Sequence, residues 1–230
     1  MTATAPRKLT IDIWSDVMCP WCSIGYGQLR KGLAQLEGEI EAEIRWHAFE
    51  LNPDMPPEGE EQNAHLQRKY RSSEEQRAAI RTQMRRLAAD AGVSLDYAGN
   101  PDTAPPAMMR NTFLAHKLLT HALESHGAER QTALKLALFA AHFNRREDVS
   151  DRKVLLAIAE EQGLDRAAAE TALDDPALGE RVRAEERAAF EMNITGVPAM
   201  VVERTFLIPG AQEPETYANA LRRVASRTAA

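Results

Sequence analysis

Cys19 and Cys22 are the only cysteines in the 230-residue sequence, and they stand three positions apart in the run Cys19-Pro20-Trp21-Cys22. At that spacing on the first turn of a helix, two thiols share a face and can close a small-loop disulfide. The first would sit where backbone N–H groups lack partners and the helix dipole is positive. Both effects favour thiolate over thiol, and thiolate is the attacking species in disulfide exchange. Cys19 is therefore the predicted nucleophile and Cys22, further inside the helix, the resolving thiol. Pro20 fixes a backbone angle and removes a donor that would be unpaired in any case. Trp21, between the thiols, is a candidate substrate contact.

Half a zinc site would show the same spacing, but zinc needs two further ligands. No third cysteine exists, and His116, His121 and His126 recur every five residues, which spreads them around a helix. No metal is expected. A single close pair is also no framework for holding distant segments together.

The elements that must position the pair follow from the pattern. Residues 8–15 alternate as a strand, residues 19–37 carry an apolar stripe (Ile24, Leu29, Leu33, Leu36) ended by Gly38, and residues 40–49 alternate again. That is a right-handed βαβ unit. A turn-rich connector, 52–59, leads into a region reading as helix from about 60 to 193. Within it, Ser72 with Glu75 suggests a capping box. Met109, Phe113, His116, Leu119 and Leu123 suggest one helix face, with Met108 and Met109 packing on it. Residues 129–144 read as one helix, Ser150 as a cap, Asp165 as the start of a short helix, and Asp175-Pro176 as a cap with a first-turn proline. Strand texture returns at 199–203 and 205–208, a hairpin around Arg204, and Pro214 opens a last helix.

The expected class is α/β: β-α-β, an all-helical insertion after the second strand, then α-β-β-α. Without the insertion this is the thioredoxin topology. The division is 1–52 and 185–230 for the thioredoxin-like domain, 53–184 for the inserted helical domain. In that topology the loop Thr195-Gly196-Val197-Pro198 faces the cysteines. Pro198 is a candidate cis residue, and Val197 would offer its backbone to an extended substrate peptide as an added strand does.

The net charge of -6 argues against a nucleic-acid partner, and the basic groups Arg81, Arg85, Arg86 and Arg145, Arg146 read as solvated faces. No stretch approaches the ~18 apolar residues of a membrane span. No apolar h-region follows Met1 to Lys8, so no secretory signal is expected and the cytoplasm is the expected compartment, where such thiols stay largely reduced.

Taken together, Trp14-Ser15-Asp16-Val17-Met18-Cys19-Pro20-Trp21-Cys22, Phe49-Glu50-Leu51-Asn52-Pro53, Asn111 with Ala115-His116, and Gly196-Val197-Pro198 with Gly210-Ala211-Gln212 resemble the DsbA-like family, specifically its FrnE-type dithiol–disulfide oxidoreductases and isomerases. The resemblance covers nearly the whole chain. It implies a thioredoxin fold with inserted helices, Cys19 as nucleophile, Cys22 as resolver, cis Pro198, and disulfide-containing proteins or small molecules as partners. It departs from periplasmic DsbA proteins in having Pro-Trp rather than Pro-His between the cysteines, and from some FrnE-type proteins in lacking a second cysteine pair. A related branch, the kappa-class glutathione transferases and hydroxychromene-carboxylate isomerases, usually has serine in place of Cys19. It supplies the alternative of a glutathione-dependent isomerase or transferase. No bound cofactor is expected; glutathione is a candidate co-substrate.

Four polar residues have competing readings. His116, on an apolar stripe, is either a core histidine or lines the substrate cleft, and the same holds for Asn111. Asp16 is a candidate cap for the active-site helix. Asp12 is a candidate proton acceptor for the resolving thiol.

Overall fold

The computed structural model describes residues 5–227; residues 1–4 of the stretch expected to hold no secretory signal lie outside the described residues. β1 (Arg7–Ser15) leads through a short turn into α1 (Pro20–Ala34), and the chain returns as β2 (Ile40–Ala48). Successive side chains of a strand point to opposite faces. Leu9, Ile11 and Ile13 therefore join one core, while Trp14 joins another on the opposite face. Burial on both faces explains why the last five residues of β1 are all buried although Asp12 and Ser15 are polar.

β3 (Glu60–Glu61) follows the connector, and α2 (Gln62–Tyr70) is capped by Glu61, whose carboxylate accepts from the Asn63 and Ala64 N–H groups. α3 (Glu74–Ala91) begins with a capping box one residue later than predicted: Ser73 and Gln76 exchange hydrogen bonds, leaving Glu74 and Glu75 as first-turn charges. Met108 and Met109 do not lie on a helix. They form β4 (Met108–Met109), paired antiparallel with β3, a two-residue ladder inside the helical region. The helix starts only at α4 (Phe113–His126), because the Asn111 side chain accepts the Phe113 N–H and fixes the entry.

α5 (Ala128–Phe139) does not run unbroken to 144; it widens into a six-residue π-helical segment, Ala140–Arg145. α6 (Arg152–Glu161) is capped by Asp151 rather than Ser150, whose hydroxyl is engaged by Asp148. α7 (Arg166–Asp174) and α8 (Pro176–Glu191) start on Asp165 and Asp175 as their sequences predict. α8 is continuous across the predicted 184/185 division.

β5 (Ala199–Val202) and β6 (Phe206–Pro209) form the hairpin, and α9 (Pro214–Arg227) closes the chain. Glu203 and Arg204, at φ 50° and 57°, make the left-handed turn that matches strand twist. The sheet order is β2-β1-β5-β6: β1 and β2 parallel, β1 with β5 and β5 with β6 antiparallel. α1 and α9 cover one face of the sheet, and α8 supplies cover on the other. A second apolar core joins α4 to α7. Val17 and Met18 belong to this helical core, whereas Cys19 and Cys22 belong to the sheet core. The thiols thus lie on the seam between the two. Among the described residues no helix is long and apolar enough to cross a membrane.

Candidate active site

The turn after β1 aims the first cysteine. Cys19 is the N-cap of α1, extended at φ -83° and ψ 109°, and Pro20 opens the helix. The Cys22 and Ser23 N–H groups donate to the Cys19 carbonyl at 3.1 and 3.4 Å, and the Cys19 N–H donates to the Asp16 carbonyl at 3.2 Å. No side chain caps this helix, so Asp16 does not take the capping role predicted for it. Its carboxylate turns instead to the Met18 N–H at 3.3 Å and the Leu51 N–H at 2.8 Å. The helix end is left with N–H groups that no side chain fills, an arrangement that favours an anion.

The hairpin side completes the frame. Cys19 Sγ lies 3.7 Å from the Val197 carbonyl oxygen. The Val197–Pro198 peptide bond is cis, and the Gly210 N–H donates to the Pro198 carbonyl at 2.8 Å. A methyl group on Gly25 would stand 3.0 Å from Pro198 Cγ, so glycine lets this loop lie close on α1. Trp21 is half-buried and touches both the sheet core and a small cluster of Ile24, Ala88 and Ala91. Both cysteines are free and buried.

Sequence reasoning missed Lys135. This α5 lysine is fully buried, with Nζ 3.4 Å from the Ser15 carbonyl oxygen. It sits 5.3 and 5.1 Å from the ring centroids of Trp46 and Phe139. Its only sequence signal is a charge inside the apolar run Ala133-Leu134-Lys135-Leu136-Ala137-Leu138. Burial pushes its ammonium down to about 8, against the pull of Cys22, Asp16 and Cys19.

The two thiols titrate as a unit, because two thiolates cannot sit side by side in a buried site. Cys19 is pushed well up, first by its hydrogen bond to Cys22, then by burial, and also by the Asp16 charge. Cys22 is lowered: burial opposes its charge, but the hydrogen bond from Cys19, another from Ser15 and the Lys135 cation outweigh it. Within the reduced pair these contacts favour the charge on Cys22 over Cys19, against the preference that the helix terminus alone gives Cys19.

The remaining predicted residues divide. His116 is fully buried, its Nε2 unpaired and 3.8 Å from Asp16 Oδ1. It is a core histidine that also faces the Asp16 carboxylate. Asn111 spends its side chain on the Phe113 N–H and the Pro53 carbonyl. Asp12 is hydrogen-bonded to His47 at 2.8 Å; the hydroxyl that meets the resolving thiol belongs to Ser15. Among the described residues no group of three or more His, Cys, Asp or Glu is arranged to hold a metal ion.

A dithiol at the start of the helix after β1, opposite a cis-proline loop, defines a thioredoxin-fold protein of the thiol–disulfide exchange class. The chain belongs to the DSBA-like thioredoxin domain family, whose model matches residues 10–222. It is 27% identical over 213 residues to the YwbO protein of Bacillus subtilis, spanning 92% of this chain and 94% of that one. Its structure is similar to a probable DsbA oxidoreductase from Streptomyces coelicolor, with TM-score 0.81 and 31% identity over 95% of this chain and 90% of that chain. It shares its fold with the cytosolic disulfide reductase DsbM of Pseudomonas aeruginosa, solved with GSH, at TM-score 0.62 and 19% identity over 94% and 99% of the two chains. The family supports thiol–disulfide oxidoreduction as the general activity.

Proposed function

We propose that the protein is a cytoplasmic, FrnE-type dithiol oxidoreductase or isomerase in which Cys19 attacks and Cys22 resolves. The observation that carries this reading is the contact of Cys19 Sγ with the Val197 carbonyl at 3.7 Å, on the sulfur that opens the helix. A substrate strand laid on the Val197 backbone would bring its own sulfur to Cys19. The proton on Cys19 passes along the S–H···S hydrogen bond to Cys22, and the Cys19 thiolate attacks one sulfur of a substrate disulfide. The substrate S–S bond breaks, one substrate thiolate leaves, and a mixed disulfide forms. Cys22 gives up that proton, which ends on a departing substrate thiolate, and attacks Cys19 Sγ; the Cys19–substrate bond breaks and the second substrate thiolate leaves. The substrate gains two electrons and the pair becomes a disulfide.

Glutathione is the proposed co-substrate that reduces the pair again, a role supported by the fold shared with DsbM, which was solved with GSH. Trp21, beside the thiols, is the proposed substrate contact. The test is a Cys22→Ser variant incubated with disulfide peptides and with oxidised glutathione. A mixed disulfide through Cys19 should accumulate and be seen by intact mass. If neither substrate is trapped, the exchange reading is wrong.

A further inference from the structure

The helical region contributes a charge to a site that otherwise belongs to the sheet. Lys135 has 0% exposure, one long hydrogen bond to a carbonyl, and two aromatic faces for company. Those contacts are weak compensation for removing an ammonium from water, which costs several kcal/mol unless an anion is near. Its ring partners Trp46 and Phe139 belong to the same apolar cluster as Cys19 and Cys22, and the anionic groups that pull on its charge are Cys22, Asp16 and Cys19. Asp16 is held by the Met18 and Leu51 N–H groups. Behind it stand His116 of α4 and His142 of the π segment, the latter neutral because burial pushes it down to about 4. Asp16 thus has partners besides Lys135, whereas the cation that lowers the thiol pair's Cys22 is Lys135.

We infer that Lys135 is the charge partner of the dithiol, holding the negative charge as an ammonium and accepting the Cys22 proton as a free amine. This rests on the exchange reading above. In the mixed disulfide, Cys19 is bonded to substrate and carries no charge, so Lys135 loses part of what keeps it protonated and gives its proton to the first substrate thiolate as that leaves, becoming a free amine. Cys22 Sγ–H then gives its proton to Lys135 Nζ. The resulting thiolate attacks Cys19 Sγ, the Cys19–substrate bond breaks, and the substrate thiolate leaves with the electron pair. Once the internal disulfide has formed, no thiolate remains beside the ammonium, and the proton passes to the departing thiolate. The redox centre therefore takes its nucleophilicity from α5, across the seam between the two cores.

The test uses the full-length reduced protein and reads thiolate directly, by ultraviolet absorbance against pH and by iodoacetamide alkylation. Lys135→Met fills the same volume without charge. The first thiol proton should leave at higher pH, and alkylation at neutral pH should slow by about tenfold or more. In a glutathione buffer the pair should become about tenfold harder to reduce, about 30 mV. Lys135→Arg, which keeps the charge but cannot take up a proton, should titrate near the parent while resolution of the mixed disulfide slows. A Lys135→Met titration within twofold of the parent overturns the inference; so does a Lys135→Arg protein whose thiolate is lost or whose resolution is unchanged. If Lys135→Met does not fold, Lys135→Arg decides. Trapping by Cys22→Ser leaves Lys135 intact, so a failed exchange reading and a failed charge partner give different results.

Discussion

The side chain of Gln131 hydrogen-bonds both backbone groups of Trp46: the Trp46 N–H donates to Gln131 Oε1 at 2.8 Å, and Gln131 Nε2 donates to the Trp46 carbonyl at 2.7 Å. β2 is a sheet edge, and an edge strand carries backbone groups that no neighbouring strand pairs. A buried amide on α5 here takes the place of that strand. It ties the helical region to the sheet one turn from Lys135, and the Trp46 ring reaches Thr132 through Nε1 at 3.0 Å. A Gln131→Leu variant keeps the volume and leaves two buried backbone groups without partners. Each costs about 1–3 kcal/mol, so urea unfolding should show a loss of roughly 2–6 kcal/mol. Gln131→Glu should be at least as damaging, since it sets a carboxylate against the Trp46 carbonyl. A loss below about 0.5 kcal/mol, the range of ordinary surface changes, would mean the pairing contributes little.

His47 carries a pH signature. Burial opposes its charge, but Asp12 at 2.8 Å and Glu185 at 3.4 Å hold its imidazolium, raising it from 6.5 to about 9. Glu185 also accepts the Ala48 N–H and Trp14 stacks on the ring at 4.6 Å, so the cluster pins α8 to the sheet. A folded value above the unfolded one gives stability fully present below 6.5 and lost as pH rises through 9. At its fullest the contribution is on the order of 3 kcal/mol. Lys135, lowered, titrates in an overlapping range with the opposite sign, so the informative quantity is the difference between parent and His47→Gln. That difference should shrink between about pH 6.5 and 9 in urea melts. A constant difference across the window would show that the proton on His47 does not stabilise the fold.

Gly27 decides how closely α1 and α3 pack. A methyl there would lie 2.6 Å from the Ala91 carbonyl oxygen and 3.0 Å from Ala91 Cβ. Alanine improves helix propensity by about 1 kcal/mol, while forcing atoms into a packed contact costs about 1–3 kcal/mol. Because the obstructing atom is backbone, the clash should win. Gly27→Ala is expected to unfold at lower urea concentration than the parent, and equal or higher stability would refute the contact.

Legibility in the sequence followed the range of the interactions. The cysteine pair, the hairpin around Arg204 and the caps at Asp165 and Asp175 are set by neighbours within a few residues, and local pattern suffices for them. Ser72 and Ser150 were each one residue from the true cap because two adjacent residues could fill the role and φ, ψ chose between them. Met108 and Met109 read as helix because two residues of strand carry no period of their own; their pairing partner is Glu60–Glu61 across the chain. Lys135 and Gln131 reach their partners only after α5 docks on β2. A lysine and a glutamine on the buried side of an apolar helix were the available hints, and spacing alone does not say what a buried charge faces.

Asp16 offers the counterpart of the lysine. Burial would raise its carboxyl, but His116, the Leu51 N–H and Lys135 outweigh burial and hold it below its usual value. It is therefore ionised beside Cys19, and its charge raises that thiol. Asp16→Asn removes the charge while keeping the size. The first proton of the dithiol should then leave at lower pH, the opposite direction from Lys135→Met, and alkylation at neutral pH should quicken several-fold. Stability should fall by about 1–3 kcal/mol, because an amide cannot accept from both the Met18 and Leu51 N–H groups. Opposite shifts from the two variants would be the mark of charges acting on one thiolate, since a general loosening of the site would move both titrations the same way. Shifts of equal sign would remove the electrostatic account of the dithiol.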